Sequence, residues 1–302
     1  MSSVLKLPFY GHVCASVHKG YKIFDINKGK VTKMFDTAVA IPSVSEEIER
    51  LKKVSKLDFA PSLSRWNIAE RWYEEDYVYG LLDSSMQTLG SDVISRKFCE
   101  EYAQQMCSMM LCQPMMTRKT EQYIDGLVKT LEDSKGSGRK IRAADLIRVK
   151  VFIDSLVERL KDVNYKEVQL VFSHGDFIPN NILHTKNGMR VIDWEDAAHR
   201  SALFDFYSYF FYRPTIRNVP VSLVVSEVDY ALPSFMRILS EKKPEISSSI
   251  LQARAAYRWI FYLELICRFV VRDITEERLE MRDFLFQYLT AFTEYEKITS
   301  SG

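Results

Sequence analysis

Ser173-His174-Gly175-Asp176-Phe177-Ile178-Pro179-Asn180-Asn181, followed after a hairpin by Ile192-Asp193-Trp194-Glu195, is the stretch that decides the reading. Upstream, Val168, Leu170 and Phe172 alternate with the period of a short strand, so Asp176 sits in the loop that leaves it. Ile182-Leu183-His184 and Met189-Arg190-Val191-Ile192 read as two strands joined through Asn187-Gly188, a tight-turn signal because glycine accepts positive φ. Folding back over that turn carries Asp193 beside Asn181. An amide oxygen and a carboxylate are the donor types that a hard cation such as Mg²⁺ takes, often completed by substrate phosphates. Asp176 is then left to orient a hydroxyl and accept its proton. The structural alternative reads Asp176 and Asn181 as turn formers and Asp193 as a strand-end cap.

Toward the N-terminus the chain reads as β-rich. Lys22–Ile26 and Lys30–Phe35 are strands joined by Asn27-Lys28-Gly29, and His12–Val17 is a third strand that pairs with them. Ser45 is the expected N-cap of a helix over Glu46–Val54, with Ile48, Leu51 and Val54 on one face. Beyond Ala60-Pro61, strand character returns over Trp66–Tyr73. From about Ser91 the pattern turns helical: Ile94, Phe98, Tyr102, Met106 and Met110 recur at every fourth residue behind an Asp92 cap. Further helices are expected over Thr120–Glu132 and Ala143–Lys161, separated by a flexible loop at Asp133–Lys140. The tail from Val221 to Lys297 is helical and strongly aromatic. The fold class is therefore α+β.

Composition narrows the function classes. A chain of 302 residues that is 47% hydrophobic and 27% charged can bury a large core, which excludes a disordered or disulfide-stapled chain. Basic and acidic side chains nearly balance, 41 against 40, so nucleic acid is not the expected partner. Five cysteines without a CxxC fit a reducing compartment, and Cys99, Cys107 and Cys112 lack zinc spacing. Lys6 and Pro8 interrupt any signal-peptide pattern, and the apolar stretch Tyr257–Val271 is too short and too charged to cross a bilayer. The expectation is a soluble cytoplasmic protein without a membrane span. No GxSxG elbow points to a serine hydrolase.

The segments HGDFIPNN (174–181) and VIDWEDA (191–197) resemble the two signature loops of the aminoglycoside phosphotransferase/choline kinase superfamily, whose fold is related to that of protein kinases. The motif style is most similar to bacterial choline and thiamine kinases, and the match is clear over about Val168–Tyr207. Asp205 stands where choline-kinase-like members carry a further aspartate. The resemblance implies a bilobal, protein-kinase-like fold. A small β-rich N-lobe would span 1–78, with a hinge at its end, and a larger, mainly helical C-lobe would span 79–302. It implies transfer of the γ-phosphate of ATP or GTP to a hydroxyl of a small molecule, with Mg²⁺ as cofactor, Asp176 as catalytic base, and Asn181 and Asp193 as metal ligands. Protein Ser/Thr kinases carry a lysine two residues after the catalytic aspartate and a glycine after the metal-binding one. Ile178 and Glu195 near those places favour a small acceptor.

The same resemblance assigns the nucleotide site. Lys33 would neutralise the α- and β-phosphates, and Glu47 would hold it, since Leu51 follows at the family's spacing; Glu46 and Glu49 are the alternatives. The strand Ile68–Tyr73 resembles the hinge strand, with Trp72 and Tyr73 flanking the base. The phosphate loop should lie within Gly11–Gly20, which has no GxGxxG, so Ser16 would stand in. Glu195 is open to three roles: the metal site, the acceptor, or a structural ion pair. His174 would brace the loop and Asp205 would bond its backbone. Tyr257, Trp259, Phe261 and Tyr262 near Glu264 would suit a quaternary ammonium, since cation–π attraction reaches about 2 kcal/mol when desolvated. A choline-like amino alcohol, a sugar or an aminoglycoside is the expected acceptor class. The poor glycine loop favours the competing reading, a pseudokinase-like binding or regulatory protein.

Overall fold

Strands β1 (Val13–Val17), β2 (Gly20–Asp25), β3 (Lys30–Phe35), β4 (Leu63–Asn67) and β5 (Trp72–Asp76) form an antiparallel sheet in the order β1-β2-β3-β5-β4. The computed structural model describes residues 9–17, 19–83, 94, 96–134, 143–163, 165–270 and 279–300. The expected Asp92 cap and residues 135–140 of the expected loop lie outside the described residues. The chain divides into two compact units, Met1–Ser85 with Asn180–Ala197, and Met86–Pro179 with Ala198–Gly302.

In the first unit the β2–β3 hairpin turns over Ile26–Gly29, one residue longer than expected, and Gly29 takes φ +63°, a conformation that costs glycine little. Helix α1 (Ile41–Val54) buries Val44, Glu47, Ile48, Leu51 and Val54. It starts earlier than Ser45, which lies inside it and caps nothing. Pro42 sits in the first turn, where a missing N–H is harmless and the fixed φ suits a helix. The expected strand over Ile68–Tyr73 is also revised. Residues 68–71 are a turn, with Arg71 at φ +58°, and the strand begins at Trp72.

β6 (Leu81–Leu82) pairs with β9 (Ile182–Thr185), which pairs with β10 (Gly188–Val191). Gly188, at φ +98°, pairs with Thr185, so the two loop residues are Lys186 and Asn187. This hairpin groups with the first unit rather than with the rest of residues 79–302. Its anchors are local and specific: Val191 N–H donates to the Phe59 carbonyl at 2.8 Å, and the buried Trp194 ring packs 6.2 Å from Phe59.

The second unit has its own sheet, β11-β8-β7, from β7 (Met116–Lys119), β8 (Glu167–Ser173) and β11 (Ala198–Ser201). Only β8 was legible as a strand, because the other two are four residues long and mostly polar. The described helices are α2 (Ala103–Leu111), α3 (Thr120–Ser134), α4 (Ala143–Asp162), α5 (Phe204–Ile216), α6 (Val221–Ser240), α7 (Pro244–Gln252), α8 (Arg254–Arg268) and α9 (Leu279–Ser300). None is long and apolar enough to cross a membrane.

A π-helical turn over Phe98–Tyr102 leads into α2. It explains the strict four-residue spacing noted above. In an α-helix four residues over-rotate by about 40°, so such a row would drift off its face. One wider turn takes up part of that drift, and Ile94, Phe98, Tyr102, Met106 and Met110 all remain buried. Phe98 packs against Phe206, Tyr209, Phe210 and Phe235, with ring centroids 5.0–6.2 Å away. Phe98→Ala should destabilise this unit by about 3–5 kcal/mol, through lost burial and a cavity that rigid rings cannot fill. A urea midpoint equal to that of the wild type would show that the aromatic cluster is not the core it looks to be.

Candidate active site

Antiparallel pairing sets Lys22, Lys33 and Tyr73 opposite one another across β2, β3 and β5, and opposed residues share a sheet face. Phe24, Val31 and Glu75 form the next row of the same face. Lys33 Nζ donates to Glu47 Oε1 at 2.7 Å and to Glu195 Oε2 at 2.6 Å, and Lys33 is 0% exposed. Burial alone would pull the ammonium pKa down, but the adjacent Glu47 and Glu195 charges more than offset it and leave the pKa raised. Tyr73 Oη donates to Glu47 Oε1 at 3.2 Å, so the buried Tyr73 ring serves this pair. Of the three glutamates considered for Lys33, Glu47 makes the contact; Glu49 pairs with Lys52 on the surface. Glu195 takes the third of its open roles, an ion pair, with Lys33 as its partner.

The hairpin brings Asn181 and Asp193 together. Ile192 N–H donates to the Asn181 carbonyl at 2.9 Å, one step past the Val191–Ile182 pair, so both residues stand at the open end of the ladder. Asp193 has φ +67° and ψ +57°, a left-handed conformation that costs about 1–2 kcal/mol for most residues and that aspartate tolerates better than most. Lys22 Nζ donates to Asp193 Oδ1 at 3.1 Å. Burial lowers the Lys22 pKa, while Asp193, Glu75 and Glu195 raise it by more, for a net upward shift. The amide oxygen of Asn181 and the carboxylate of Asp193 are the oxygen donors that Mg²⁺ takes, and Asp193 already presents one oxygen to a positive group. This donor set fits the cation.

Ser16 and Trp72 do not join this constellation. Ser16 pairs with Tyr21, Tyr21 with Met34, and Met34 with Trp72, which puts all four on the sheet face away from Lys33. Trp72 Nε1–H donates to Glu70, and its ring meets Phe9 at 4.9 Å. Val17 pairs with Gly20, so most of the segment expected to be a phosphate loop is paired strand.

In the second unit, β8 ends at Ser173 and the loop that follows is tied by its backbone. Asp205, in the first turn of α5, accepts from His174 N–H at 2.7 Å and from Gly175 N–H at 3.0 Å. Asp176 N–H donates to His174 Nδ1 at 3.1 Å, so the buried imidazole is a brace. Arg268, at the end of α8, donates through Nη1 to the Gly175 carbonyl at 2.6 Å and to Asp176 Oδ1 at 3.0 Å. No local pattern pointed to Arg268, which comes from a helix 92 residues away. Lys22 was hidden by one residue of register: a turn of Asn27–Gly29 alone would set it opposite Met34, whereas the loop runs Ile26–Gly29 and sets it opposite Lys33.

Of the four tail aromatics, three are core, and the half-buried Trp259 donates through Nε1 to Glu296 at 2.9 Å. Tyr257, Phe261 and Tyr262 are all fully buried, and Tyr262 stacks on Phe292 at 3.9 Å. Glu264 is engaged inside the protein, accepting from Ser201 N–H at 2.9 Å, from Ser201 Oγ at 2.5 Å and from Tyr123 Oη. Burial raises its pKa despite those bonds. These residues do not form an open cage for a quaternary ammonium. Cys107 is a buried thiol whose pKa desolvation pushes up to about 12.

The family model described as the phosphotransferase enzyme family matches residues 33–226, nearly two thirds of the chain. The chain belongs to that family. None of the curated proteins has a matching sequence. Among solved structures, an ethanolamine kinase from Plasmodium vivax is similar at a TM-score of 0.62 and 12% identity, over 93% of this chain and 81% of that one. A choline kinase from Streptococcus pneumoniae gives 0.59 and 17%, over 95% of each chain. A glucosamine kinase in complex with glucosamine, ADP and inorganic phosphate gives 0.60 and 12%, over 95% of this chain and 81% of that one. The fold is α+β and protein-kinase-like.

Glu75 provides a test of the charged sheet face. Desolvation pushes its carboxyl up to about 7; Lys22 counteracts this and Asp193 adds to it. Between its ordinary value of 4.5 and about 7, the folded chain keeps this proton while the unfolded chain loses it. The group's contribution to stability is therefore present in acid and is lost as pH rises through about 7. Glu75→Gln cannot ionise, and should gain about 2–3 kcal/mol over the wild type at pH 8 and little at pH 4.5. Urea denaturation at the two pH values measures this; an equal difference at both would contradict it.

Proposed function

We propose that this chain is a Mg²⁺-dependent kinase that transfers the γ-phosphate of ATP or GTP to a hydroxyl of a small molecule. The observation that carries the reading is the placement of Asn181 and Asp193 at the open end of one hairpin, where Ile192 N–H bonds the Asn181 carbonyl, in the same unit as the Lys33–Glu47 pair. Lys33 binds and neutralises the α- and β-phosphates, and Glu47 keeps its ammonium in place. Asn181 and Asp193 hold Mg²⁺, which when bound clamps the phosphates and offsets developing charge. Asp176 orients the acceptor hydroxyl and takes its proton, and Arg268 fixes the carboxylate for that task.

The lobes proposed are an N-terminal nucleotide-binding part, which includes the 180–197 hairpin, and a C-terminal part that carries Asp176 and binds the acceptor. The acceptor is an amino alcohol or a sugar, the classes named for the similar ethanolamine, choline and glucosamine kinases. Ile178 in the place of the protein-kinase lysine supports a small acceptor over a protein one. One observation favours the second reading, a pseudokinase-like binding protein. Strand pairing as far as Val17 and Gly20 leaves phosphates no long glycine-rich cradle.

Nucleotide binding followed by turnover on a panel of choline, ethanolamine, glucosamine and aminoglycosides, read as nucleoside diphosphate release, decides between the two. Asp176→Asn should leave nucleotide affinity nearly unchanged and lower transfer by about 10²–10⁴-fold, the usual worth of a general base. Unimpaired transfer removes Asp176 from this role. Asp193→Ala should abolish the gain in nucleotide affinity that Mg²⁺ provides to the wild type; an unchanged metal requirement would count against Asp193 as a ligand.

A further inference from the structure

We propose that Lys22 is a second phosphate-binding lysine of the nucleotide site, an inference that rests on the kinase reading above. The two lysines stand opposite each other on neighbouring strands, on one face, so their Cβ atoms lie about 4.5–5.5 Å apart. Like charges so placed repel. Glu47 and Glu195 compensate Lys33, and Asp193 compensates Lys22. An ammonium has three donors. Lys33 has spent two of them on carboxylates, which leaves one for a phosphate. Lys22 is different: among the described residues its ammonium makes one hydrogen bond, to Asp193 Oδ1, and its side chain keeps 18% exposure.

The position of that one bond gives Lys22 its role. Asp193 is the carboxylate proposed to hold the cation, so Lys22 and the cation share a ligand. Phosphates brought to Asp193 would therefore lie beside the two unspent donors of Lys22. The short β1–β2 turn makes such a charge necessary. A family member with a glycine-rich loop wraps phosphates in backbone N–H groups. Here β1 and β2 already pair at Val17 and Gly20, and a side-chain ammonium on the next strand supplies the missing positive charge. A purely structural role, as a counter-ion that keeps Asp193 folded in, is the competing account.

The experiment compares affinities for ATP, ADP and adenosine, with GTP, GDP and guanosine in parallel, in the presence of Mg²⁺. Lys22→Met should weaken triphosphate and diphosphate binding by about tenfold or more, the worth of a charge-assisted hydrogen bond, and leave nucleoside binding unchanged. Lys22→Arg should restore most of the loss. An unchanged ratio of triphosphate to nucleoside affinity in Lys22→Met overturns the proposal while leaving the kinase reading intact. Wild-type protein that binds none of the six overturns both. A measurement on the wild type alone covers the case in which Lys22→Met does not fold. Acylation of Lys22, followed by mass spectrometry, should slow with ATP or GTP and not with the nucleosides. Equal rates in all conditions likewise overturn the proposal.

Discussion

An ammonium cut off from water keeps its charge only if carboxylates replace its hydration, and Lys33 has two of them. Those two come from distant parts of the sequence: Glu47 from α1, Glu195 from just beyond the β9–β10 hairpin. Removing either would leave a buried charge half compensated, which costs far more than a surface ion pair contributes. The pair interactions thus act as a constraint on assembly. They hold the sheet, the helix and the returning hairpin in one unit, and the geometry around Asp193 follows from where that hairpin is pinned.

The second unit holds its own loop by a different device. Asp205 accepts two successive backbone N–H groups, and His174 accepts a third, so the chain around Asp176 is set by hydrogen bonds to main-chain donors. Only a proline would remove one of these main-chain donors, whereas many substitutions would remove an acceptor. Glu264 does related work deeper in the same unit. Its buried carboxylate ties Ser201, at the end of β11, to Tyr123 on α3. A residue that looks like a ligand for a cation in the sequence is, in the fold, a satisfied internal acceptor.

Much of this was legible in the residues. The two glycine-marked hairpins, the alternating strand before Ser173 and the four-residue helical row all rest on local chemistry, and local chemistry can be read from short windows. The pairing of Lys33 with Glu47 was legible for a related reason, since a strand lysine and a helix glutamate at those positions match a known layout. What escaped was set by register and by distance. A strand shifted by one residue presents the opposite face, so nothing in the isolated segments told Ser16 and Trp72 from Lys22 and Tyr73. The start of α1 was misplaced because a serine before acidic residues resembles a cap, while Pro42 had already opened the helix. Arg268 reaches Asp176 across the sequence, and no periodicity encodes such a meeting.

The sheet face itself carries a further consequence. Two ammonium groups, Lys22 and Lys33, share it with four carboxylates: Glu47, Glu75, Asp193 and Glu195. The surplus is negative even where Glu75 keeps its proton, so a bare polyanion approaching this surface is repelled, whereas a charge-neutralised one is not.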